Sequence, residues 1–270
     1  MMRSPMRTSN DKVIFGKKEL RGSRLRCLIF TSGSRKQVAH RLTTLIEPYA
    51  EVDESRDQWM PRGFLEPDEA KLGDDSIFLS VDQRRKVTDW WLAVKEGANT
   101  PNWDIVSTCT VQGRNGLVLV EAKAHVTELS VDGKRDPKTA NGEKNDCQIV
   151  KAVADADKKL NAVLPGFSLS TNSHYQLCNR FAWACKIVSL GMPVILVYLG
   201  FLSAEDMADR GQPFRTADEW SKALLGHGRG IVPDDAWNQR LEIDGTPMWP
   251  LIRAVYLRWE ALSFVDRSAT

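Results

Sequence analysis

Cysteine is scarce in this 270-residue chain and poorly arranged for chemistry. Cys27, Cys109, Cys147, Cys178 and Cys185 are odd in number and widely scattered, and no Cys-x-x-Cys pair occurs. That argues against a zinc or dithiol centre and for reduced thiols, with Cys178 and Cys185 filling the buried stripe of one helix. Long apolar runs are also missing: the longest, "MPVILVYLGFL", is far short of the roughly 20 residues that cross a bilayer, so no membrane span is expected. The start, "MMRSPMRTSNDK", has no apolar central stretch and no small-residue cleavage site, which points to a cytoplasmic protein. Internal repeats and low-complexity tracts are absent. "GHGRG" around His227 has no strand before it and no Gly-Lys-Ser/Thr after it, so it reads as a flexible connection rather than a phosphate loop.

What is present is the composition of a soluble globular protein: 42% hydrophobic and 27% charged residues, enough for one main domain with a sizeable core. The net charge of +2 hides an asymmetry. Through Arg41 the chain carries Arg3, Arg7, Lys12, Lys17, Lys18, Arg21, Arg24, Arg26, Arg35, Lys36 and Arg41 against only Asp11 and Glu19. Such an arm suits phosphate neutralisation on a nucleic acid; a solvated basic tail is the plain alternative.

Local patterns give an order of elements. "RLRCLIFTSG" is a short strand-like run, and "SRKQVAHRLTTLIEP" places Val38, Leu42, Leu45 and Ile46 on one helical face before Pro48. The following segment, which contains Glu69-Ala70-Lys71, is rich in Pro, Gly and acids and reads as a loop. "VDQRRKVTDWWLAVKE" is a helix with Val87, Trp90, Trp91 and Val94 inward, and Gly97 follows its end. "WDIVSTCTVQ" and "GLVLVEAKAHV" flank "GRNG" and predict a β-hairpin turning at Asn115-Gly116. A long polar loop precedes a helix over "CQIVKAVADADKKLNAVL". A second helix, "SHYQLCNRFAWACKIVSL", starts after the capping candidates Asn172 and Ser173 and stops before Pro193. "PVILVYLGF" is a strand buried on both faces.

One of the two Glu-Ala-Lys copies has a context for chemistry. Glu121 and Lys123 lie two apart on one strand, so both side chains leave the same face. Their strand is apolar on both faces, where a Glu and a Lys are costly unless paired or bound to a metal. With the turn at Arg114 and Asn115, Asp104 pairs opposite His125 and Val106 opposite Lys123, which puts Asp104 on the same face but four residues from Glu121. Carboxylates that hold a divalent cation, beside a lysine, are a set suited to phosphodiester hydrolysis. Glu69 to Lys71, by contrast, has no predicted strand to aim it.

Asp104, followed after sixteen residues by "EAK", resembles the PD-(D/E)XK nuclease superfamily; the similarity in element order covers Asp104 to Phe201, about half the chain. The resemblance implies an α/β fold: a restriction-endonuclease-like core with a central mixed β-sheet flanked by helices. It also implies Mg²⁺, with Mn²⁺ as a substitute, held by Asp104, Glu121 and the backbone carbonyl of Ala122, while Lys123 positions or activates water. Gln176 stands where some of these nucleases carry a Gln, but Arg180 replaces the Tyr four residues on. The family's first-helix acid has three candidates, Glu47, Glu54 and Asp89. Gln176 and Arg180 share a helix face and are expected to address a phosphate, although Arg180 has an alternative ion pair with Asp155 or Asp157. His125 and Asn145 are further substrate-binding candidates, the first with an edge hydrogen bond and the second with an N-cap as its alternative role.

The expected organisation is a basic arm over 1–25, a nuclease-like core over 26–202 and a mostly helical extension over 203–270. The expected activity is metal-dependent cleavage of nucleic acid, DNA first, by a chain for which a homodimer is one arrangement. The competing reading is a catalytically silent nucleic-acid-binding or assembly protein on the same fold.

Overall fold

The structure, a computed structural model, describes residues 6–7, 13–15 and 18–257, with side chains from Leu20 onward. Most of the basic arm therefore lies outside the described side chains. The strands are β1 (Met6–Arg7), β2 (Val13–Phe15), β3 (Lys18–Leu20), β4 (Trp59–Met60), β5 (Ala70–Lys71), β6 (Asn102–Trp103), β7 (Ile105–Val111), β8 (Arg114–Lys123), β9 (Val194–Leu202), β10 (Leu241–Ile243) and β11 (Thr246–Tyr256). The α-helices are α1 (Gly22–Phe30), α2 (Arg35–Ile46), α3 (Val81–Trp91), α4 (Ala140–Val163), α5 (Tyr175–Ser189) and α6 (Ala217–Gly228). None of them is long and apolar enough to cross a membrane, among the described residues.

Six strands form one mixed sheet in the order β10-β11-β9-β8-β7-β4. β7 and β8 are an antiparallel hairpin, whereas β9 runs parallel to β8 and β11 runs parallel to β9. The long crossover from β8 to β9 carries α4 and α5. Apolar residues on both faces of the central strands bind helices on both sides. On one face Leu117, Leu119, Leu196 and Tyr198 pack with α3, α4, α5 and α6. On the other, Val118, Val120, Ala122, Val197 and Leu199 pack with α1 and α2. The fold is thus α/β, with a central mixed six-stranded sheet flanked by helices.

Several expectations need correction. The hairpin turns at Gln112-Gly113, both with positive φ (50° and 76°), and Asn115 and Gly116 lie inside β8. A two-residue turn with both central residues left-handed matches the twist of the flanking strands. The run at 24–33, read as strand-like, falls mostly in helix α1 (Gly22–Phe30), whose Leu25, Cys27, Leu28 and Phe30 are buried while Arg26 reaches Asp206. Helix α4 starts at Ala140, seven residues before the expected start, capped by the Thr139 hydroxyl, which accepts from Gly142 N–H. "GHGRG" is not a loose connection, because Gly226 to Gly228 complete α6. The segment past Leu202, expected to be mostly helical, supplies α6 and two strands, and β11 pairs with β9 along nearly its whole length.

Helix α2 and the Trp cluster follow expectation. Ser34 and Gln37 close a reciprocal capping box, and Trp90, Trp91 and Trp183 pack with centroids 5.2–5.6 Å apart.

Gly200 of β9 pairs with Lys123 of β8 and lies under the indole of Trp220, where a Cβ would stand 2.5 Å from Trp220 Cγ. Gly200→Ala is therefore expected to destabilise the fold by about 1–3 kcal/mol through overpacking, seen as a lower denaturant midpoint at unchanged m-value.

Candidate active site

The hairpin register decides what the site contains. Ile105 pairs with Val120 and Val106 with Leu119, so the same register carried one residue further sets Asp104 opposite Glu121. The parity expected from the sequence is kept, but the offset of four residues is gone because the turn lies earlier than its Asn-Gly signal. The Asp104 side chain ends the ladder: its Oδ2 accepts from Ala122 N–H at 2.7 Å. Its other oxygen accepts no hydrogen bond among the described residues.

Glu121 and Lys123 continue the face of β8 on which Leu117 and Leu119 meet α5. Glu121 is 1% exposed and its two oxygens are both engaged. Lys123 Nζ donates to Oε1 at 2.6 Å and Arg180 Nε to Oε2 at 2.5 Å. Lys123 Nζ also donates to Gln176 Oε1 at 2.8 Å. Arg180 in turn donates to Asn102 O at 2.7 Å and to Asn179 Oδ1 at 3.1 Å, and its guanidinium lies 4.4 Å from the Trp103 ring centroid. The buried Glu121, Lys123 and Arg180, with the partly exposed Asp104 and Gln176, thus form one cluster where the parallel strands β8 and β9 end and α5 begins. Ligand sites in open α/β sheets commonly lie at such strand ends.

One buried and one partly exposed carboxylate beside two buried cations perturb one another. Burial first, then the negative charge of Glu121, raises Asp104 from 3.8 to about 7. Burial alone would raise Glu121 too, but Arg180 and Lys123 outweigh it and hold that carboxyl below its ordinary value. Burial would likewise lower Lys123, yet Glu121 and Asp104 outweigh it and raise the ammonium above its ordinary value. At neutral pH Lys123 is therefore a charged donor rather than a base.

The remaining candidates separate from this cluster. His125 is buried but lies past the end of β8, with Nδ1 2.7 Å from Thr127 Oγ1 and a bridge to Pro213, so it takes the edge hydrogen-bonded role. Asn145 lies inside α4 and is not its N-cap: its amide accepts from Val94 N–H at 2.7 Å and donates to Val94 O at 2.8 Å. Arg180 pairs with Glu121, not with Asp155 or Asp157. The Ala122 side chain is buried on the opposite face of the sheet, so only its backbone belongs to the site. Glu47, Glu54 and Asp89 are exposed, and the last pairs with Lys95.

The acid missed at the sequence level is Glu69. β5 pairs antiparallel with β6, Ala70 opposite Trp103, which brings Glu69 beside Asp104 at a cleft of about 670 Å³ that both line with Asn102, Tyr175, Gln176 and Arg180. Glu69 accepts from Asn102 Nδ2 at 2.9 Å and pairs with Arg24 of α1 at 2.5 Å. Cys27, buried on α1, senses all three acids: burial first, then Asp104, Glu121 and Glu69, pushes its thiol well up. The first Glu-Ala-Lys copy, read as a loop without a strand, therefore lies on a two-residue ribbon beside the second. On the α6 side, His227 stacks on His174 at 4.8 Å, and burial, then His174 and Lys123, pushes its imidazole down to about 4.

Compared with family models, curated proteins and solved structures, the chain has no match in any of the three.

Two outcomes follow from the cluster's electrostatics. Arg180→Met leaves Glu121 buried with one cation instead of two and is expected to cost about 3–5 kcal/mol in denaturant unfolding, the range for breaking one side of a buried pair. Asp104 has a folded-state value above its unfolded one, so the folded state binds more protons between about pH 4 and 7. Its contribution to stability accordingly falls as pH rises through that window. Glu121 has the opposite sign: its depressed value gives stability present above the ordinary carboxyl range and lost on acidification. Asp104→Asn is thus expected to raise Tm relative to wild type at pH 8, but not at pH 4, in chelator-containing buffer.

Proposed function

We propose that this protein is a divalent-metal-dependent nuclease, with a restriction-endonuclease-like core and Asp104, Glu121 and Lys123 as its reaction centre. The observation that carries the reading is the register: Asp104 opposite Glu121, with Lys123 between Glu121 and Gln176, on adjacent strand ends, where Asp104 and Gln176 line a cleft and Glu121 and Lys123 lie buried behind them. Gln176 and Arg180, expected as phosphate-facing residues, line that cleft from the first turns of α5.

The donors fit a hard cation such as Mg²⁺. Among the described residues no group of three His, Cys, Asp or Glu side chains forms a cage. Magnesium needs none, since it is commonly held by one or two carboxylates, with waters and substrate phosphates completing its octahedron. Asp104, Glu121 and the Ala122 carbonyl would hold the ion, and Mn²⁺ suits the same oxygens. Bound there, the ion supplies Lewis acidity to the phosphate and lowers the pKa of water.

The chain's own groups do the positioning. Protonated Lys123, oriented by Glu121 and Gln176, donates to the attacking water or to a phosphate oxygen where negative charge develops. Arg180 steers the phosphodiester along α5, and Trp91 and Tyr175 in the cleft lining limit water around it. DNA is the expected substrate, and a phosphate backbone suits a cleft lined by Lys134 and Arg180, with Arg24 paired to Glu69 at its edge. The silent-binder reading has one observation in its favour: both Glu121 oxygens already serve Lys123 and Arg180, a self-satisfied arrangement.

Incubation of single- and double-stranded DNA and RNA with Mg²⁺ or Mn²⁺ separates the two. The nuclease reading expects metal-dependent cleavage that falls by about 10²-fold or more in Lys123→Ala and is abolished in Asp104→Ala. A wild-type chain that binds nucleic acid but cuts none of these substrates with either metal ends the enzyme reading.

A further inference from the structure

Helix α5 carries Gln176 and Arg180 near its start and a different pocket near its end. Ten residues separate Gln176 from Lys186, about 15 Å along the helix axis, so the two places are distinct. The distal pocket, of about 380 Å³, lies between α4 and α5, with Trp90 of α3 at its side. Its lining combines Trp90, Ala156, Ala162 and Cys185 with Lys158, Lys159 and Lys186; the acid that also lines it is Asp155.

Four features favour an aromatic anion over solvent. Lys186 is half-buried, makes no ion pair with the described residues, and has its ammonium 5.6 Å from the Trp90 ring centroid. Its neighbour Lys159 is held in place by Ser189 Oγ at 3.1 Å and by Asp244, so the cationic rim is partly preorganised. Burial, then the charge of Lys159, lowers the proton affinity of Lys186, with Asp155 opposing. The Trp90 ring packs against Trp91 and Trp183, which hold it as a rigid wall. An apolar floor with a few convergent charges, in this size range, is the usual make-up of a small-ligand pocket.

We propose that this pocket is a binding site for a nucleoside monophosphate, the base against Trp90 and the phosphate among Lys158, Lys159 and Lys186. A bare phosphate would leave the apolar wall unused, and a neutral aromatic would leave Lys186 without an anionic partner, whereas Lys159 already has Asp244. The site is independent of the chemistry proposed for Asp104 and Glu121.

The test is calorimetric titration of the full chain with AMP and with inorganic phosphate, alongside tryptophan fluorescence, for wild type, Lys186→Gln, Lys186→Arg and Asp104→Asn. AMP is expected to bind at least tenfold more tightly than phosphate. Lys186→Gln is expected to weaken AMP binding at least tenfold, Lys186→Arg to retain it, and Asp104→Asn to leave it unchanged. The proposal is overturned by no AMP binding at millimolar concentration, by phosphate binding as well as AMP, or by unchanged affinity in Lys186→Gln. AMP binding lost in Asp104→Asn would assign the ligand to the strand-end cleft and overturn it equally. If Lys186→Gln does not fold, Lys159→Gln, at an exposed position, carries the same expectation.

Discussion

The carboxylate of Glu121 is the constraint on which the rest of the site depends. It stands where β8 would otherwise place a third apolar side chain after Leu117 and Leu119, and it is almost wholly shielded from water. A lone charge there would be prohibitive, so both oxygens must be answered from within the fold. Lys123 answers from the same strand and Arg180 from α5. Each cation then needs support of its own, which ties in Gln176 for Lys123, and Asn102, Asn179 and the Trp103 ring for Arg180. One buried charge thereby fixes the start of α5 against the end of β8 and against β6.

Much of this was legible in the chain. A strand apolar on both faces that suddenly carries Glu and Lys two residues apart announces a compensated buried site, and parity alone put Asp104 on that face. The failures have physical causes. Asn115-Gly116 is a strong turn signal, yet Gly116 is needed for close approach: a Cβ there would come within 2.8 Å of Val111 Cγ2 and 3.0 Å of Pro193 O. Periodicity does not distinguish a glycine required by packing from one required by a turn. Residues 22–30 form a short apolar run that suits strand or helix alike. The prolines at 247 and 250 demote a strand in any local reading, whereas β11 keeps both while pairing with β9 along nearly its whole length.

Glu69 shows a different limit. Its tripeptide was visible, but the two-residue ribbon that aims it depends on a partner over thirty residues away in sequence. Nothing in the local pattern around Glu69 encodes that pairing. Asn145 failed in the reverse sense: its residue type suits an N-cap, but the helix begins earlier with Thr139, and the amide instead clamps both backbone groups of Val94. Residue type proposed a role in each case, and tertiary geometry chose another.

The charge inventory of the cluster bears directly on how a nuclease centre would operate here. With Asp104 and Glu121 ionised, Lys123 and Arg180 balance them, leaving a quartet without net charge. A divalent cation entering that quartet alone would meet two ammonium-type neighbours as well as two carboxylates. A phosphodiester arriving with it supplies the missing negative charge and offers Arg180 a second anionic partner, which loosens its hold on Glu121. Cation and substrate would then favour each other's binding, and by linkage the coupling is reciprocal. Glu69, held off by Arg24 at the edge of the same cleft, adds to this logic: a phosphate that engages Arg24 leaves another carboxylate beside Asp104.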